Sequence, residues 1–231
     1  MKNLAIAFCS FKPEQYPINV GHLRETEYLN CIKQLIRVLP KSFDLIIVDN
    51  TIKNISDLNN KELQNLLKNS NFKILGSNIG TTNKGMGELQ MMDFVLKTTN
   101  LTEYNVITYI TARRLFTCPY FFEKSEKLEK DALLCNPDFV YLNGTFLETE
   151  KNNMFNDMIF SMKKDTIVKY SDYSVNQLQI NLTQNIGSEQ NLYNFVTKYK
   201  IDFEWSNWIG LIRHDWMLDF NKNNIDLIHI C

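Results

Sequence analysis

Short apolar runs alternate with amphipathic segments through the first half of this 231-residue chain, and this order constrains the fold more than any other feature. Apolar runs that favour β-strands lie at residues 3–11, 43–48, 73–75 and 104–111. Segments that favour helices lie between them, at residues 22–39, 56–67 and 87–98. Strands that alternate with helices are typical of a parallel sheet with right-handed crossovers. We therefore predict an α/β fold with a mostly parallel, Rossmann-like sheet and helices on both of its faces.

The second half of the chain is less regular, and its elements are predicted one by one. Helices are expected at residues 119–130, 153–163 and 188–200. Strands are expected at residues 132–135, 139–142 and 166–170. Ser188 is the expected N-cap of the last helix, and Asn143-Gly144 predicts a hairpin turn. Residues 12–21 carry two prolines and a glycine, so they predict a loop.

Composition limits the partners and the compartment. The chain has 25 basic and 26 acidic residues, so no global positive field draws it to nucleic acid. Its five cysteines include no C-x-x-C pair, which argues against a disulfide framework or a zinc site and favours a reducing compartment. The N-terminal apolar run is short for an export signal. We therefore expect a cytoplasmic location and no nucleic-acid partner.

Polar side chains follow each predicted strand of the first half. Ligands of parallel sheets bind beyond the carboxyl ends of the strands, so these side chains are candidates for a binding site. Adjacent guanidinium groups suit a diphosphate, although one of them pairing with a carboxylate is about equally expected. An Asp-Asn pair at a strand end is also a common turn former. The candidates are Ser10, Asp49, Asn50, Asn78, Arg113 and Arg114.

A glycine-rich loop, residues 76–87, precedes the third helix and matches neither of two well-known phosphate loops. Met86-Gly87 stands where a P-loop needs Lys-Ser or Lys-Thr, and Gln90 stands where the dinucleotide fingerprint needs its third glycine. Asn83 and Lys84 nevertheless add hydrogen-bonding groups and a cation. We expect this loop to cover a phosphate- or base-bearing ligand, the alternative being a flexible connection.

This order of elements resembles the nucleotide-sugar-binding half of GT-A-type glycosyltransferases over residues 3–116. The resemblance rests on a strand ending IIVDNT and, after a helix, on the pattern N-x-G-x-x-NKGxGE that begins at Asn78. It implies one GT-A-like domain over residues 1–231, with a nucleotide-sugar-binding half at 1–116 and an acceptor-side half at 117–231. It also implies a glycosyltransferase of polysaccharide biosynthesis, with a nucleotide-diphosphate sugar as donor. The acceptor would be a glycan or glycolipid, which allows peripheral association with a membrane.

The resemblance also implies roles for individual residues. Asp49 would contact the nucleotide base, and Asn78, Asn83 and Lys84 would line the same pocket. Most members of the family carry an Asp-x-Asp at the end of the next strand, where it holds a divalent metal on the diphosphate. This chain has Thr-Ala-Arg-Arg at residues 111–114 and so looks closer to bacterial and viral polysaccharide transferases with an arginine there. An arginine can replace part of the charge of Mn²⁺ or Mg²⁺, so metal dependence stays open.

Glu189 stands at the start of the last predicted helix. A glutamate there usually interacts only with the helix dipole. It becomes the candidate general base of an inverting transferase if the fold brings it to the sheet edge. Two other functions stay open: a nucleotidyltransferase, which normally needs carboxylates for Mg²⁺ at that edge, and a non-catalytic nucleotide-binding module.

Overall fold

The computed structural model describes residues 2–13, 18–76, 84–135, 155–206 and 211–213. The strands are β1 Lys2–Cys9, β2 Phe43–Asp49, β3 Phe72–Ile74, β4 Tyr104–Thr111, β5 Arg114–Phe116, β6 Ala132–Cys135, β7 Asn156–Lys163, β8 Phe203–Ser206 and β9 Leu211–Arg213. The helices are α1 Ile18–Val38, α2 Lys61–Lys68, α3 Lys84–Thr98, α4 Tyr120–Glu126, α5 Lys164–Gln184 and α6 Ser188–Tyr199, and Ile55–Asp57 forms a 3₁₀ turn. In this part of the chain, no helix is both long and apolar enough to span a bilayer.

A seven-stranded sheet in the order β3-β2-β1-β4-β7-β6-β8 forms the centre of the molecule. The first four strands are parallel, and β6 and β8 share their direction because β7 is antiparallel to both β4 and β6. A separate pair, β5 and β9, forms a two-stranded antiparallel sheet. The predicted α/β fold with a mostly parallel sheet is therefore confirmed.

Helices cover both faces of the sheet, and side chains of each strand alternate between two apolar clusters. On one face, Ala5 and Ala7 of β1 pack in a cluster with residues of α1, α2 and α4. On the other face, Ile6 and Phe8 pack in a cluster with residues of α3, α5 and α6. A strand buried on both faces needs an unbroken apolar run, which is the pattern of the first half of the sequence.

The helices of the first half begin at other residues than predicted. Helix α1 begins at Ile18, directly after Pro17, so the loop predicted for residues 12–21 was wrong in its second part. Proline is tolerated at a helix start because its missing N–H would have no partner there. The helix predicted at 56–67 is split, because Asn60 accepts from the backbone N–H groups of Glu62 and Leu63 and so begins α2 anew. Helix α3 begins at Lys84, three residues before the predicted start.

Two neighbouring predictions in the second half were wrong. The helix predicted at 153–163 is strand β7, and the strand predicted at 166–170 belongs to helix α5. Strand β7 lies between β4 and β6 and is buried on both faces, so its apolar run shows no period that separates strand from helix. The buried face of α5 includes Ser171, Ser174 and Asn181, so no apolar stripe marked it in the sequence.

Smaller differences concern the ends of the remaining helices. Helix α4 is shorter than the predicted 119–130, and β6 agrees with its prediction. Gly187 is the N-cap of α6, so Ser188 is its first helical residue rather than its cap. The strand predicted at 139–142 and the turn at Asn143-Gly144 lie outside the described residues.

We predict that Gly85→Ala destabilises the protein although alanine favours helices. A Cβ at Gly85 would lie 2.6 Å from Ser188 Oγ and 2.9 Å from the Ser188 backbone nitrogen, so α3 and α6 would have to separate. We expect a loss of about 1–3 kcal/mol in the free energy of unfolding, measured with urea. Gly187→Ala is the matched control, because its Cβ meets only the end of the flexible Glu189 side chain. A Gly85→Ala protein as stable as this control would contradict the prediction.

Candidate functional site at the carboxyl edge of the sheet

Two helix starts meet at the carboxyl edge of the central strands. Gly85, in the first turn of α3, lies against Ser188 in the first turn of α6. The backbone N–H of Phe155, just before β7, donates to the Glu189 carbonyl at 3.1 Å. The residues that follow β1, β2 and β4 lie at this edge, together with the start of β7 and the first turns of α3 and α6. We call this set of residues the sheet-edge site.

Asp49 ends β2, and its carboxylate joins the loops that follow β1 and β2. It is fully buried and accepts from the backbone N–H groups of Phe11 (2.7 Å), Thr51 (2.6 Å) and Ile52 (2.9 Å). The Thr51 hydroxyl also donates to it, at 2.9 Å. Burial raises the pKa of Asp49 to about 6, against the opposing effect of these hydrogen bonds. Asp49 therefore stabilises the turn that follows β2, as an Asp-Asn pair at a strand end commonly does. A nucleotide base would reach its oxygens by replacing one of these hydrogen bonds.

Ser10 and Asn50 lie side by side at the ends of β1 and β2. The Ser10 hydroxyl is 3.4 Å from Asn50 Oδ1, and both residues are buried. Asn50 Nδ2 has no hydrogen-bond partner. A buried donor without an acceptor costs about 1–3 kcal/mol, so its presence in a folded protein calls for a reason. A ligand with an acceptor atom would supply one.

The two arginines after β4 have different surroundings. Arg113 Nη2 forms an ion pair with Glu27 of α1 at 2.8 Å. The predicted alternative, in which one of the two arginines pairs with a carboxylate, is therefore confirmed for Arg113. Arg113 Nε is nevertheless buried without an acceptor, and about a quarter of the side chain is exposed. Arg114 begins β5, opposite Arg213 of β9, and is partly buried. Arg113 therefore retains donor capacity at the edge of the sheet.

Carboxylates gather on the other side of the same edge. Glu88 of α3 is buried and accepts from the Tyr109 hydroxyl at 2.7 Å. The Tyr109 ring is stacked between Phe8 and Phe160, at 4.3 and 4.6 Å between centroids. Burial raises the pKa of Tyr109 well above its usual range, and the charges of Glu88 and Asp157 add to that rise. Tyr109 thus remains a hydrogen-bond donor that holds the Glu88 carboxylate in place.

Asp157 is a site residue that the sequence did not reveal. It lies in β7, where the pairing with β6 shifts register after Leu134, and it is 8% exposed. Because Ile159 pairs with Ile110 in antiparallel sense, Asp157 lies at the carboxyl end of β4. The register shift between β6 and β7 is a β-bulge or a similar irregularity, and β-bulges are frequent beside active sites, where they redirect a side chain. Asp157 was missed because residues 153–163 were predicted as a helix. A strand prediction for this segment would have placed Asp157 near a strand end, at the sheet edge.

Of the remaining candidate site residues, some lie at the sheet edge and others lie outside the described residues. Glu189 lies at the sheet edge with an exposed side chain, and its Oε2 accepts from the Ser188 hydroxyl at 3.4 Å. Its position therefore meets the condition for a general base, and the role itself stays a prediction. Lys84 begins α3, whereas Asn78 and Asn83 lie outside the described residues. Among the described residues, no three His, Cys, Asp or Glu side chains lie close enough to hold a metal ion.

Comparison with solved structures identifies relatives of this fold among transferases. The chain is similar to a predicted nucleotide-diphospho-sugar transferase from Desulfovibrio desulfuricans G20, with a TM-score of 0.54 and 12% identity over 89% of this chain and 80% of the other. It is also similar to 4-diphosphocytidyl-2C-methyl-D-erythritol synthase from Anaerococcus prevotii DSM 20548, with a TM-score of 0.55 and 13% identity over 97% of both chains. At such identities the likeness establishes the fold. No family model and no curated protein matches the chain.

We predict that Asp49 gives the stability a pH dependence of unusual sign. Its pKa is higher in the folded state, about 6, than the ordinary value of 3.8, so between these values the folded state binds more protons. The contribution of Asp49 to stability is therefore greatest below pH 4 and falls as the pH rises through 6. The free energy of unfolding of the wild type, relative to Asp49→Asn, should fall by about 2–3 kcal/mol over this range in urea titrations.

Asp57→Asn is the control for this measurement. Hydrogen bonds from the backbone N–H groups of Asn54 and Lys53 lower the pKa of the exposed Asp57. Its contribution is present above the unfolded-state pKa and is lost as the pH falls, so the two variants should show opposite trends. The same trend in both variants would refute the assignment for Asp49.

Proposed function

We propose that this protein is a glycosyltransferase that binds a nucleotide-diphosphate sugar at the sheet-edge site and transfers the sugar to a hydroxyl of a glycan or glycolipid. One observation carries the proposal: two buried donors without acceptors lie at the same edge of the sheet, Asn50 Nδ2 after β2 and Arg113 Nε after β4. Unused donors suit a ligand rich in acceptor oxygens. The fold, shared with enzymes that handle nucleotide-linked substrates, supports the same assignment.

Each part of the donor would meet a different group of residues. Asn50 and Ser10 would face the nucleoside, with Asp49 holding their loops and reaching the base by exchanging one of its hydrogen bonds. Arg113 and Arg114 would face the diphosphate. The loop with Asn78, Asn83 and Lys84 would cover the nucleotide. We place this reaction in cytoplasmic polysaccharide biosynthesis.

The proposed reaction is a displacement at the anomeric carbon of the donor sugar. The acceptor hydroxyl forms a new C–O bond while the bond from that carbon to the diphosphate breaks, and the nucleoside diphosphate leaves with the electron pair. Arginine side chains stabilise the charge that develops on the leaving group. If the enzyme inverts, a carboxylate accepts the proton of the hydroxyl. Glu189 is the proposed base, and Asp157 is a further carboxylate at this edge.

A nucleotidyltransferase is the second candidate. It is favoured by the similarity to the diphosphocytidyl-methylerythritol synthase, which extends over 97% of both chains. In that reaction a phosphate or hydroxyl oxygen attacks the α-phosphorus of a nucleoside triphosphate, and pyrophosphate leaves. The two reactions differ in their products, because the glycosyltransferase releases a nucleoside diphosphate and the nucleotidyltransferase releases pyrophosphate.

We predict that Arg113→Ala weakens the binding of nucleoside diphosphates by about tenfold or more, since it removes a charge-assisted hydrogen bond to the diphosphate. Calorimetry with UDP, CDP, GDP and ADP, with and without Mn²⁺, measures the effect. Arg37→Ala is the matched control, because Arg37 is an exposed arginine near the far end of α1. If the wild type binds none of these nucleotides under either condition, the proposed function is wrong.

We predict that Glu189→Gln lowers sugar transfer by about 10²–10⁴-fold while nucleotide affinity stays within about threefold of the wild type. The amide keeps the size of the side chain but cannot accept the proton. A screen of nucleotide sugars that follows release of nucleoside diphosphate measures transfer. Glu123→Gln is the control, because Glu123 lies in α4, away from the sheet edge. Unchanged transfer by Glu189→Gln, with loss in Asp157→Asn, would move the role of base to Asp157.

A further inference from the structure

One face of α1 connects the ends of β1 and β4. Arg24, Glu27 and Tyr28 are spaced three and four residues apart, so they lie on the same side of the helix. All three make polar contacts with the sheet edge rather than with solvent. We call these three residues the α1 brace.

Two members of the α1 brace hold the end of β1. Arg24 Nε donates to the Ser10 carbonyl at 2.6 Å, and the Ser10 backbone N–H donates to the Tyr28 hydroxyl at 2.9 Å. Arg24 is 4% exposed and Tyr28 is 1% exposed, so these bonds are shielded from water. The position of Ser10, and with it the start of the following loop, is therefore fixed through both its backbone N–H and its carbonyl.

The third member, Glu27, meets the end of β4 through Arg113. Its Oε2 lies 2.8 Å from Arg113 Nη2, and only 12% of the Glu27 side chain is exposed. Arg24 and Arg113 both act on Tyr28, where burial raises the hydroxyl pKa and these two cations oppose the rise. The Glu27 carboxylate is the opposite charge that the brace supplies to Arg113.

We propose that Glu27 is a positioning residue, which holds the Arg113 guanidinium ready for the anionic group of the ligand. This inference rests on the proposed function. A guanidinium presents five donors in a rigid fork, so it can serve a carboxylate with one part and a phosphate with another. Glu27 uses Nη2, whereas Nε stays without an acceptor. Holding a long side chain in place before the ligand arrives lowers the entropy lost on binding.

The opposite role for Glu27 is competition, in which its negative charge repels the incoming anion. The two roles predict opposite changes when the carboxylate is removed. Loss of a positioning contact weakens anion binding, because the ion pair with Glu27 no longer holds the Arg113 guanidinium in place. Loss of a competing charge strengthens anion binding, because the positive potential at Arg113 rises.

A double-mutant cycle on Glu27 and Arg113 tests the proposal with two probes, namely whichever of UDP, CDP, GDP and ADP the wild type binds most tightly, and inorganic pyrophosphate. Calorimetry on the full chain gives their affinities for the wild type, Glu27→Ala, Arg113→Ala and the double variant. We expect Glu27→Ala to weaken binding about tenfold in the wild type but not in the Arg113→Ala background. Glu27→Gln, which keeps an acceptor oxygen, should restore most of the affinity. Glu62→Ala, which removes the exposed ion pair with Lys33, is the control and should leave affinity unchanged.

The outcomes separate this proposal from the proposed function. Equal or tighter binding by Glu27→Ala would overturn the positioning role, as would additive losses in the double variant. In both cases a wild type that binds the probes, and loses them with Arg113→Ala, leaves the proposed function standing. A wild type that binds neither probe overturns both. A lower melting temperature of Glu27→Ala with unchanged affinity identifies Glu27 as a brace for stability alone and also overturns the proposal.

Discussion

The loops that follow β1 and β2 depend on one buried carboxylate, that of Asp49. It ends β2 and accepts hydrogen bonds from backbone N–H groups of both loops. Without it, the N–H groups of Phe11, Thr51 and Ile52 would lose their acceptor, and an unpaired buried N–H destabilises the fold. The positions of Ser10 and Asn50 follow from this arrangement, because they belong to the same two loops. An aspartate at a strand end thus fixes the two loops that carry the candidate residues Ser10 and Asn50.

Two arginines and two glutamates at the sheet edge are associated with opposite faces of the sheet. The arginines that act on Tyr28, Arg24 and Arg113, lie on the side of α1, whereas Glu88 and Glu189 belong to α3 and α6, which cover the other face. Burying a charge is costly unless it has a partner, and two of these groups have one, Glu27 for Arg113 and Tyr109 for Glu88. One ligand could therefore meet cations at one end and carboxylates at the other.

The sequence predicted the parallel half of the fold well, because each of its strands is an apolar run and polar residues such as Asn50 and Arg113 follow the strand ends. It failed at β7 and α5, where the buried face of a central strand has no period and the buried face of a helix is built from Ser171, Ser174 and Asn181. Asp157 was missed for that reason. The α1 brace was missed because charged residues on a helix are expected in solvent, and only the tertiary structure shows Arg24 to be buried.

The order of the strands is compatible with the proposed binding of a nucleotide-diphosphate sugar along the sheet edge. Along the edge, β2 and β1 carry Asn50 and Ser10, the next strand, β4, leads to Arg113, and β7 follows with Asp157. Neighbouring strands are about 4.8 Å apart, so about 10 Å separates β2 from β4, on the order of the reach from a nucleoside to its second phosphate. In the proposed complex the distal phosphate of a nucleoside diphosphate would lie at Arg113 and the attached sugar toward Asp157, where a carboxylate would meet the acceptor hydroxyl. Nucleotidyl transfer would instead need carboxylates at the α-phosphate, and Asp49 would have to exchange hydrogen bonds with its own loops to serve there.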